Sequence, residues 1–382
     1  MRMLVLADDL TGALEAGAKF AGEGITSLVT TELSLSPPSM RSDVEVLVID
    51  TDSRHLSPSD AGRRVRILSS LARRLGIRYL YKKTDSTLRG NIGRELECLS
   101  TAFDGLPILY APAYPEMGRT VVDGHLLVGG RPVTQTELSE DALNPIRESH
   151  IPTLLASQSS LPVFSLPSLH CDNGIPSGIH VCDGRTDEDI TACARLFLET
   201  QTLRLAAGPA ALAHGIARLA DWPRKILAPL PSVERCLIVS GSRSEVSVRQ
   251  MECALNCGFR SSSPTNVTDE LLASLSWIIL EPAGDVHGNP LQIARQVGTT
   301  IRDVLQQATP DALLIFGGDT ARAVVQALGS PGLHPLGEVL PGVPLSRIAR
   351  PDTRHLYMMT KAGGFGSNGI IAELRRQLQR KD

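Results

Sequence analysis

The chain has 382 residues, a formal net charge of −3, 42% hydrophobic residues and 21% charged residues, which is typical of a globular protein large enough for two domains. Its lysines and arginines are scattered, which argues against nucleic-acid binding, and no apolar run approaches the ~20 residues that span a bilayer. The seven cysteines are irregularly spaced, and Asp8 and Asp9 interrupt the short apolar start, so we expect a cytoplasmic protein without a signal peptide or a disulfide framework.

Short apolar runs alternate with helical patterns in the first part of the chain. In chain order we predict a strand over 4–7, a helix over 12–22, strands over 25–30 and 45–50, a helix over 61–75, a strand over 78–82, a helix over 92–103 and a strand over 107–111. Residues 112–160 are rich in Pro, Gly and Thr, and we expect an irregular excursion or a cover over a site. The alternation predicts an α/β fold with an open, mostly parallel sheet and helices on both faces.

A second β-α series follows a stretch with three prolines at residues 219–232. We therefore predict two domains, over residues 1–230 and 231–382, each with a mostly parallel sheet and flanking helices. The predicted elements of the second domain are a strand over 236–239, a helix over 245–257, a strand over 277–280, a helix over 291–307, a strand over 312–316, a helix over 321–328, a strand over 355–360 and a helix over 369–380.

Polar side chains follow three predicted strands of the first domain, at the edge where open α/β sheets bind ligands. Aspartates, hydroxyls and cations occur there together, which suits a small polyhydroxylated anion: cations bind its carboxylate, and aspartates bind its hydroxyls or accept a proton. The candidate substrate residues are Asp8, Asp9, Arg54, Lys83, Thr84, Asp85 and Ser86, and the candidate catalytic residues are Asp85, Asp9, Lys83 and Arg89.

Some of these residues also have a purely structural interpretation. Asp9 would serve as the N-cap of the following helix, and residues 52–53 are ordinary turn residues. The segment 82–90 has two lysines, an arginine and an aspartate, which is more charge than a turn requires. We therefore favour a functional role for that segment.

Three glycine-containing turns at strand-to-helix junctions characterise the second domain. Glycine lets backbone N–H groups approach an anion, and the helix N-terminus behind the turn favours negative charge. Three such turns in one domain indicate anion binding, with the candidate residues Ser242, Ser244, Gly317, Gly318, Asp319, Thr320, Gly363 and Gly364.

Other classes of site are less well supported. Residues 364–369 match a dinucleotide-binding fingerprint, but no strand with an acidic residue follows, and the Gly-Lys pair of a P-loop does not occur. Cys253 and Cys257 share a helix face, for which core packing is the better interpretation, and the nine histidines have no metal-ligand spacing, so we predict no protein metal site. A dehydrogenase or aldolase acting on similar acids, and a non-catalytic sugar-acid sensor, remain alternatives.

Six segments spread along the chain form a recognisable set: Ala7–Ala13, Lys83–Asn91, Pro112–Thr120, Gly317–Ala321, Leu340–Pro344 and Lys361–Gly366. Together they resemble the four-carbon acid sugar kinase family, in the family's order and from one end of the chain to the other. The resemblance implies ATP-dependent phosphorylation of threonate, erythronate or a 3-oxo-tetronate, with the acid in the N-terminal domain and the nucleotide in the C-terminal domain.

The resemblance also implies roles for individual residues. Asp9, Arg54 and residues 83–86 would contact the sugar acid, while Ser242 or Ser244, residues 317–320 and Gly363 would contact ATP. Mg²⁺ would bridge the phosphates.

Lys83 and Arg89 would neutralise charge, and Asp85 or Asp9 would orient the attacking hydroxyl and accept its proton. The chain departs from the family at Ser247, where threonine is frequent, and it is short between residues 258 and 311. Homo-oligomerisation is left open.

Overall fold

The structure is a computed structural model that describes residues 1–35, 43–140, 145–166, 175–242, 244–281, 289–330, 332–349 and 355–379. The chain divides into two compact units, unit 1 with residues 1–27 and 32–225, and unit 2 with residues 28–31 and 226–382. The division after residue 225 lies close to the proline-rich stretch, while the domain boundary at residue 230 stays a prediction.

Up to residue 225, the structure contains the predicted alternation of strands and helices together with further elements. They are β1 (Met3–Ala7), α1 (Leu10–Gly22), β2 (Ser27–Thr30), β3 (Val46–Asp50), α2 (Pro58–Arg74), β4 (Tyr79–Lys83), α3 (Ile92–Ala102), β5 (Ile108–Tyr110), β6 (Arg119–Val122), β7 (His125–Val128), β8 (Arg131–Pro132), α4 (Ile151–Gln158), β9 (Val163–Leu166), β10 (Ile179–Cys182), α5 (Asp187–Glu199), β11 (Leu205–Gly208) and α6 (Ala210–Leu219).

The sheet of unit 1 has the strand order β3-β1-β4-β11-β5-β10-β9, with parallel pairing throughout. β1, β3 and β4 are buried along their whole length, as expected for strands covered by helices on both faces. In the helical layers, α2 packs on α3, and α1 and α5 pack on α6. Because β3, β1 and β4 are neighbours, the residues that follow these strands meet at one edge of the sheet.

Residues 112–160 are more regular than we expected. They contain α4 and a three-stranded antiparallel sheet of β6, β7 and β8. The turns at Asp123-Gly124 and Gly129-Gly130 have positive φ at both residues, which is the backbone of a two-residue hairpin turn. The expectation of an irregular excursion was therefore wrong, and these two dipeptides were the signal for the hairpins.

The later elements are β12 (Cys236–Ser240), α7 (Glu245–Asn256), β13 (Arg260–Ser262), α8 (Asp269–Leu275), β14 (Trp277–Leu280), α9 (Pro290–Gln307), β15 (Ala312–Phe316), α10 (Gly318–Ala327), β16 (Leu333–Leu340), β17 (Val343–Ile348), β18 (Leu356–Lys361) and α11 (Ile370–Leu378). The strand order in unit 2 is β13-β14-β12-β15-β18-β17-β16-β2, parallel as far as β18 and antiparallel beyond it. The predicted α/β class is confirmed.

Candidate functional site

Arg54 joins three aspartates at the carboxyl ends of β1, β3 and β4. Its Nε lies 2.7 Å from Asp8 Oδ2, its Nη1 lies 2.7 Å from Asp9 Oδ2, and its Nη2 lies 3.5 Å from Asp85 Oδ1. Asp9 also caps α1, because its Oδ1 accepts a hydrogen bond of 2.8 Å from the Gly12 N–H. Asp9 is therefore the N-cap of α1, as its structural interpretation predicted, and it also belongs to the Arg54 cluster.

Asp85 is held in a fixed position by the turn that follows β4. Its Oδ2 accepts hydrogen bonds from the Thr87 hydroxyl, from the Thr87 N–H at 3.0 Å and from Arg89 Nε at 3.0 Å, and its Oδ1 accepts one from Arg89 Nη2 at 2.9 Å. Burial favours the neutral acid, but Arg89 and Arg54 outweigh it and hold the pKa of Asp85 well below its ordinary value. Asp85 therefore stays ionised and accepts a proton poorly.

Asp8 is buried beside the same cations. Burial raises its pKa, but Arg54, Lys82 and Lys83 together lower the pKa below that of an ordinary aspartate. Asp8 is thus a carboxylate in the cluster.

Lys83 ends β4 with its ammonium at the edge of the sheet. Nζ donates a hydrogen bond of 2.9 Å to the Thr84 carbonyl and lies 3.9 Å from Glu15 Oε2. A Cβ built at Gly12 would lie 2.9 Å from Lys83 Nζ and 2.7 Å from Asp9 Oδ1, so a glycine at residue 12 lets the cation and the carboxylate approach the start of α1. Ser86 follows in the turn and is half-buried.

Lys82, the neighbour of Lys83, has a structural role instead. Its ammonium is fully buried and lies 3.2 Å from Glu95 Oε2 on α3, while Glu95 Oε1 accepts a hydrogen bond from the Ser53 hydroxyl. Burial raises the pKa of Glu95, an effect that Lys82 partly opposes. This buried pair connects α3 to the loop that carries Arg54.

Five polar side-chain atoms around this edge lack a hydrogen-bond partner in the part of the chain that the structure describes: Asp8 Oδ1, Thr11 Oγ1, Thr84 Oγ1, Tyr110 Oη and Arg119 Nε. Burial raises the pKa of the Tyr110 phenol and the Thr84 hydroxyl partly lowers it, so these two hydroxyls are close neighbours. Buried polar groups are normally paired with protein, water or a ligand. The edge therefore offers polar groups that a ligand or water could pair with.

The sequence had not identified Thr11, Tyr110 and Arg119 as site residues. Burial lowers the pKa of Arg119, and Asp85 and Glu15 partly restore it, which places the guanidinium within the field of the acidic cluster. Tyr110 is the last residue of β5, so the strand-end rule would have found it. Arg119 enters from the small sheet that was expected to be irregular, and only the structure brings it here.

The three glycine turns of unit 2 meet because β12, β15 and β18 are adjacent in that order. A Cβ on Gly241 would lie 2.0 Å from Thr320 Oγ1, one on Gly317 would lie 3.6 Å from the Ser242 nitrogen, and one on Gly363 would lie 2.4 Å from Ser242 Oγ. The distances at Gly241 and Gly363 leave no room for a Cβ, whereas the distance at Gly317 is an ordinary van der Waals contact. Gly317 has a φ of 102°, which glycine adopts without strain.

The remaining candidates of this unit lie on the same turns. Gly318 and Asp319 begin α10, and Thr320 is buried behind them. Ser244 caps α7 and its hydroxyl donates a hydrogen bond of 2.6 Å to the Gly363 carbonyl, as does Ser247 at 3.0 Å. A serine at residue 247 therefore supplies the hydroxyl that this contact needs. Among the described residues, a Cβ on Gly364 would meet nothing within 4 Å, so the turn has room for a ligand there.

Neither a metal-binding cluster nor a membrane-spanning helix occurs among the described residues. Within those ranges, no three His, Cys, Asp or Glu side chains are arranged to hold a metal ion. None of the described helices is both long enough and apolar enough to cross a membrane.

Two family models match the chain, a sugar-binding N-terminal domain over residues 3–216 and a nucleotide-binding C-terminal domain over residues 283–371. The first of them covers more than half of the chain. The chain belongs to the four-carbon acid sugar kinase family, whose two domain models these are.

Full-length relatives agree with this assignment. The chain is 30% identical to the D-threonate kinase of Salmonella typhimurium (98% of this chain and 97% of the relative), 27% identical to the 3-oxo-tetronate kinase of Burkholderia multivorans (98% and 96%) and 25% identical to the D-erythronate kinase of Heliobacterium modesticaldum (96% and 94%). A crystal structure described as a putative tRNA synthase from Salmonella typhimurium has the same fold, with a TM-score of 0.77, 19% identity and 99% of both chains covered.

Proposed function

We propose that this protein is an ATP-dependent kinase that phosphorylates a hydroxyl of a four-carbon sugar acid. The observation that carries the proposal is the set of five buried, unpartnered polar atoms beside the Arg54 cluster. Such a set suits a ligand with several hydroxyls and one negative charge, since it combines acceptors, hydroxyls and cations in one place. The names of the full-length relatives support the same class of substrate.

In the proposed site, Arg119 and Lys83 face the carboxylate of the substrate. Arg119 Nε has no acceptor among the described residues, and Lys83 Nζ, beyond its hydrogen bond to the Thr84 carbonyl, has only a 3.9 Å contact with Glu15 in the described part of the chain. Arg54 and Arg89 instead hold the aspartates in place. Asp8, Thr84 and Tyr110 bind the hydroxyls of the acid, and Ser86 lies at the half-buried rim of the site.

Asp9 orients the attacking hydroxyl and accepts its proton. Asp85 is less suited to this step, because its side chain is 8% exposed against 23% for that of Asp9, and because Arg89 and Arg54 hold its pKa well below the ordinary value despite its burial. An efficient general base needs a pKa closer to the working pH. Asp85 therefore positions Arg54 and Arg89, and phosphoryl transfer depends mainly on positioning and charge neutralisation.

The three turns of unit 2 bind ATP in this proposal. Their glycines let backbone N–H groups approach the phosphates, and α7, α10 and α11 begin directly behind them. Asp319 is the carboxylate that these turns offer to Mg²⁺, which suits an ion that binds through one or two carboxylates, phosphates and water. When bound, Mg²⁺ would neutralise phosphate charge.

An ADP-release assay over a panel of C4 acids tests the proposal. We expect turnover with one or more of D-threonate, D-erythronate and 3-oxo-tetronates, loss of turnover with the matching neutral tetritols, and a phosphate ester located by phosphorus NMR. ADP release without a phosphorylated acid, or equal rates with the tetritols, would contradict the assignment. Homo-oligomerisation stays a prediction, which light scattering of the purified protein checks.

A further inference from the structure

The turn after β18 has its carbonyl groups directed into the protein by buried side chains. Lys361 Nζ donates hydrogen bonds to the carbonyls of Ala362 at 2.7 Å and Gly363 at 3.3 Å. Gln250 Nε2 lies within hydrogen-bonding distance, 3.0 to 3.1 Å, of three further carbonyls, those of residues 365–367. With the Ser244 and Ser247 hydroxyls on Gly363, donors from β18 and from α7 with its N-cap hold this turn.

The orientation of these carbonyls also determines the direction of the N–H groups. In a trans peptide the C=O of one residue and the N–H of the next point in opposite directions. The N–H groups of Gly363 and Gly364 therefore point away from Lys361, and within the described part of the chain no residue accepts a hydrogen bond from either of them. Consecutive N–H groups on one side of a turn form an anion-binding concavity.

Apart from the two carbonyls, the Lys361 ammonium lies against aromatic rings. Its side chain is fully buried, with Nζ 5.1 Å from the ring centre of Phe316 and 4.8 Å from that of Phe365. Across the described residues no carboxylate lies within ion-pair distance of it, and on the neighbouring helix α7 the charged side chains of Glu245 and Arg249 pair with each other. Burial alone lowers the pKa of Lys361 to about 7.

We propose that Lys361 is a positioning residue of the nucleotide site, which directs the N–H groups of the last glycine turn towards the phosphates and takes up a proton from the solvent when the phosphates bind. This inference rests on the nucleotide-binding role proposed above. The charge of a bound phosphate favours the ammonium form, and the ammonium polarises the two peptides whose N–H groups contact the phosphate. Binding and protonation therefore strengthen each other, as linked equilibria require.

Calorimetric titration of the full-length protein with ADP and Mg²⁺ at pH 8, in two buffers of different ionisation enthalpy, tests the proposal. ADP is fully ionised at that pH, so it releases no proton itself. We expect uptake of roughly 0.5 to 1 proton per ADP, because a group with a pKa near 7 is mostly neutral at pH 8 and becomes charged on binding. Binding of ADP with no proton uptake would overturn the inference and leave the kinase proposal standing, whereas no ADP binding would overturn both.

Two variants of Lys361 separate positioning from folding. Lys361→Met should abolish the proton uptake and weaken ADP binding about tenfold, and Lys361→Arg should retain most of the affinity without uptake, because arginine is charged in both states. Lys225→Met, at an exposed lysine of unit 1, is the matched control and should behave as the unchanged protein. If Lys361→Met fails to fold, Lys361→Arg tests the proposal by itself. Proton uptake that persists in Lys361→Arg would show that another group takes up the proton and would overturn the inference.

Discussion

The two units bind their proposed ligands with different parts of the chain. At the edge of unit 1 the groups are charged and hydroxylated side chains, arranged around Arg54 and its three aspartates. In unit 2 they are main-chain N–H groups on glycine turns, and the Lys361 and Gln250 side chains hold the last turn through hydrogen bonds to its carbonyls. Side chains discriminate between hydroxyl and carboxylate groups, whereas main-chain N–H groups donate hydrogen bonds to any phosphate. We therefore expect unit 1 to specify the substrate.

The largest effect should follow from Arg54→Met, which leaves three neighbouring carboxylates without their shared cation. Removing one partner of a buried ion pair typically costs ~3–5 kcal/mol, so we expect a loss of kcat/KM of at least about 1000-fold and a lower melting temperature. ADP affinity should not change, which steady-state kinetics and calorimetry together would check. Arg63→Met, at an arginine whose side chain is 61% exposed, is the control. If Arg54→Met lowers kcat/KM by less than tenfold, the Arg54 cluster is not part of the substrate site.

Next in size are the substitutions of the two candidate bases. Asp9→Asn should lower the single-turnover rate by about 100-fold with little change in ADP affinity, since general-base catalysis typically contributes ~10²–10⁴. Asp85→Asn should weaken acid binding and stability more than the chemical step, because Arg54 and Arg89 lose their partner. Asp104→Asn, at an exposed aspartate, is the control.

If Asp85→Asn instead lowers the single-turnover rate and Asp9→Asn mainly weakens acid binding, Asp85 is the general base. If neither variant loses ~100-fold, neither aspartate is a general base.

A smaller effect, on the KM for ATP, should distinguish substitutions of two glycines in the last turn, Gly363 and Gly369. Gly363→Ala places a Cβ 2.4 Å from Ser242 Oγ, so the turn or Ser242 must move. Overpacking of this kind costs ~1–3 kcal/mol, and we expect a rise of about tenfold or more in the KM for ATP. Gly369→Ala would add a Cβ that meets no described residue within 4 Å, and it should change the KM little. Equal KM values for both variants would show that ATP does not use this turn.

The smallest effect concerns acid stability. The pKa values of Asp8 and Asp85 are lowered in the folded state, so these groups contribute stability that is fully present above the ordinary aspartate pKa of about 3.9 and is lost as the pH falls through the folded pKa values. Arg89→Met should raise the pKa of Asp85 and shift the acid-unfolding midpoint upwards by a few tenths of a pH unit or more, roughly.

Circular dichroism during acid titration would measure this midpoint. Arg302→Met, at an exposed arginine of unit 2, should leave the midpoint unchanged. A downward shift for Arg89→Met would contradict the charge assignment of Asp85.

The sequence by itself determined the α/β class, the strands 277–280 and 312–316, and the polar strand ends around Asp9, Arg54 and Asp85, because apolar period and strand-end chemistry are local properties. It also indicated the six family segments. These local signals sufficed for the class of ligand in unit 1.

The tertiary structure alone decided which of these residues work together. Lys82 and Lys83 are adjacent in sequence, yet one is buried against Glu95 and the other reaches the site, since alternate residues of a strand face opposite sides of the sheet. The roles proposed for Arg119 and Lys361 depend on residues far away in sequence: Arg119 lies in the field of Asp85 and Glu15, and Lys361 lies against the ring of Phe316. Burial is a property of the packed fold, so no local pattern could predict it.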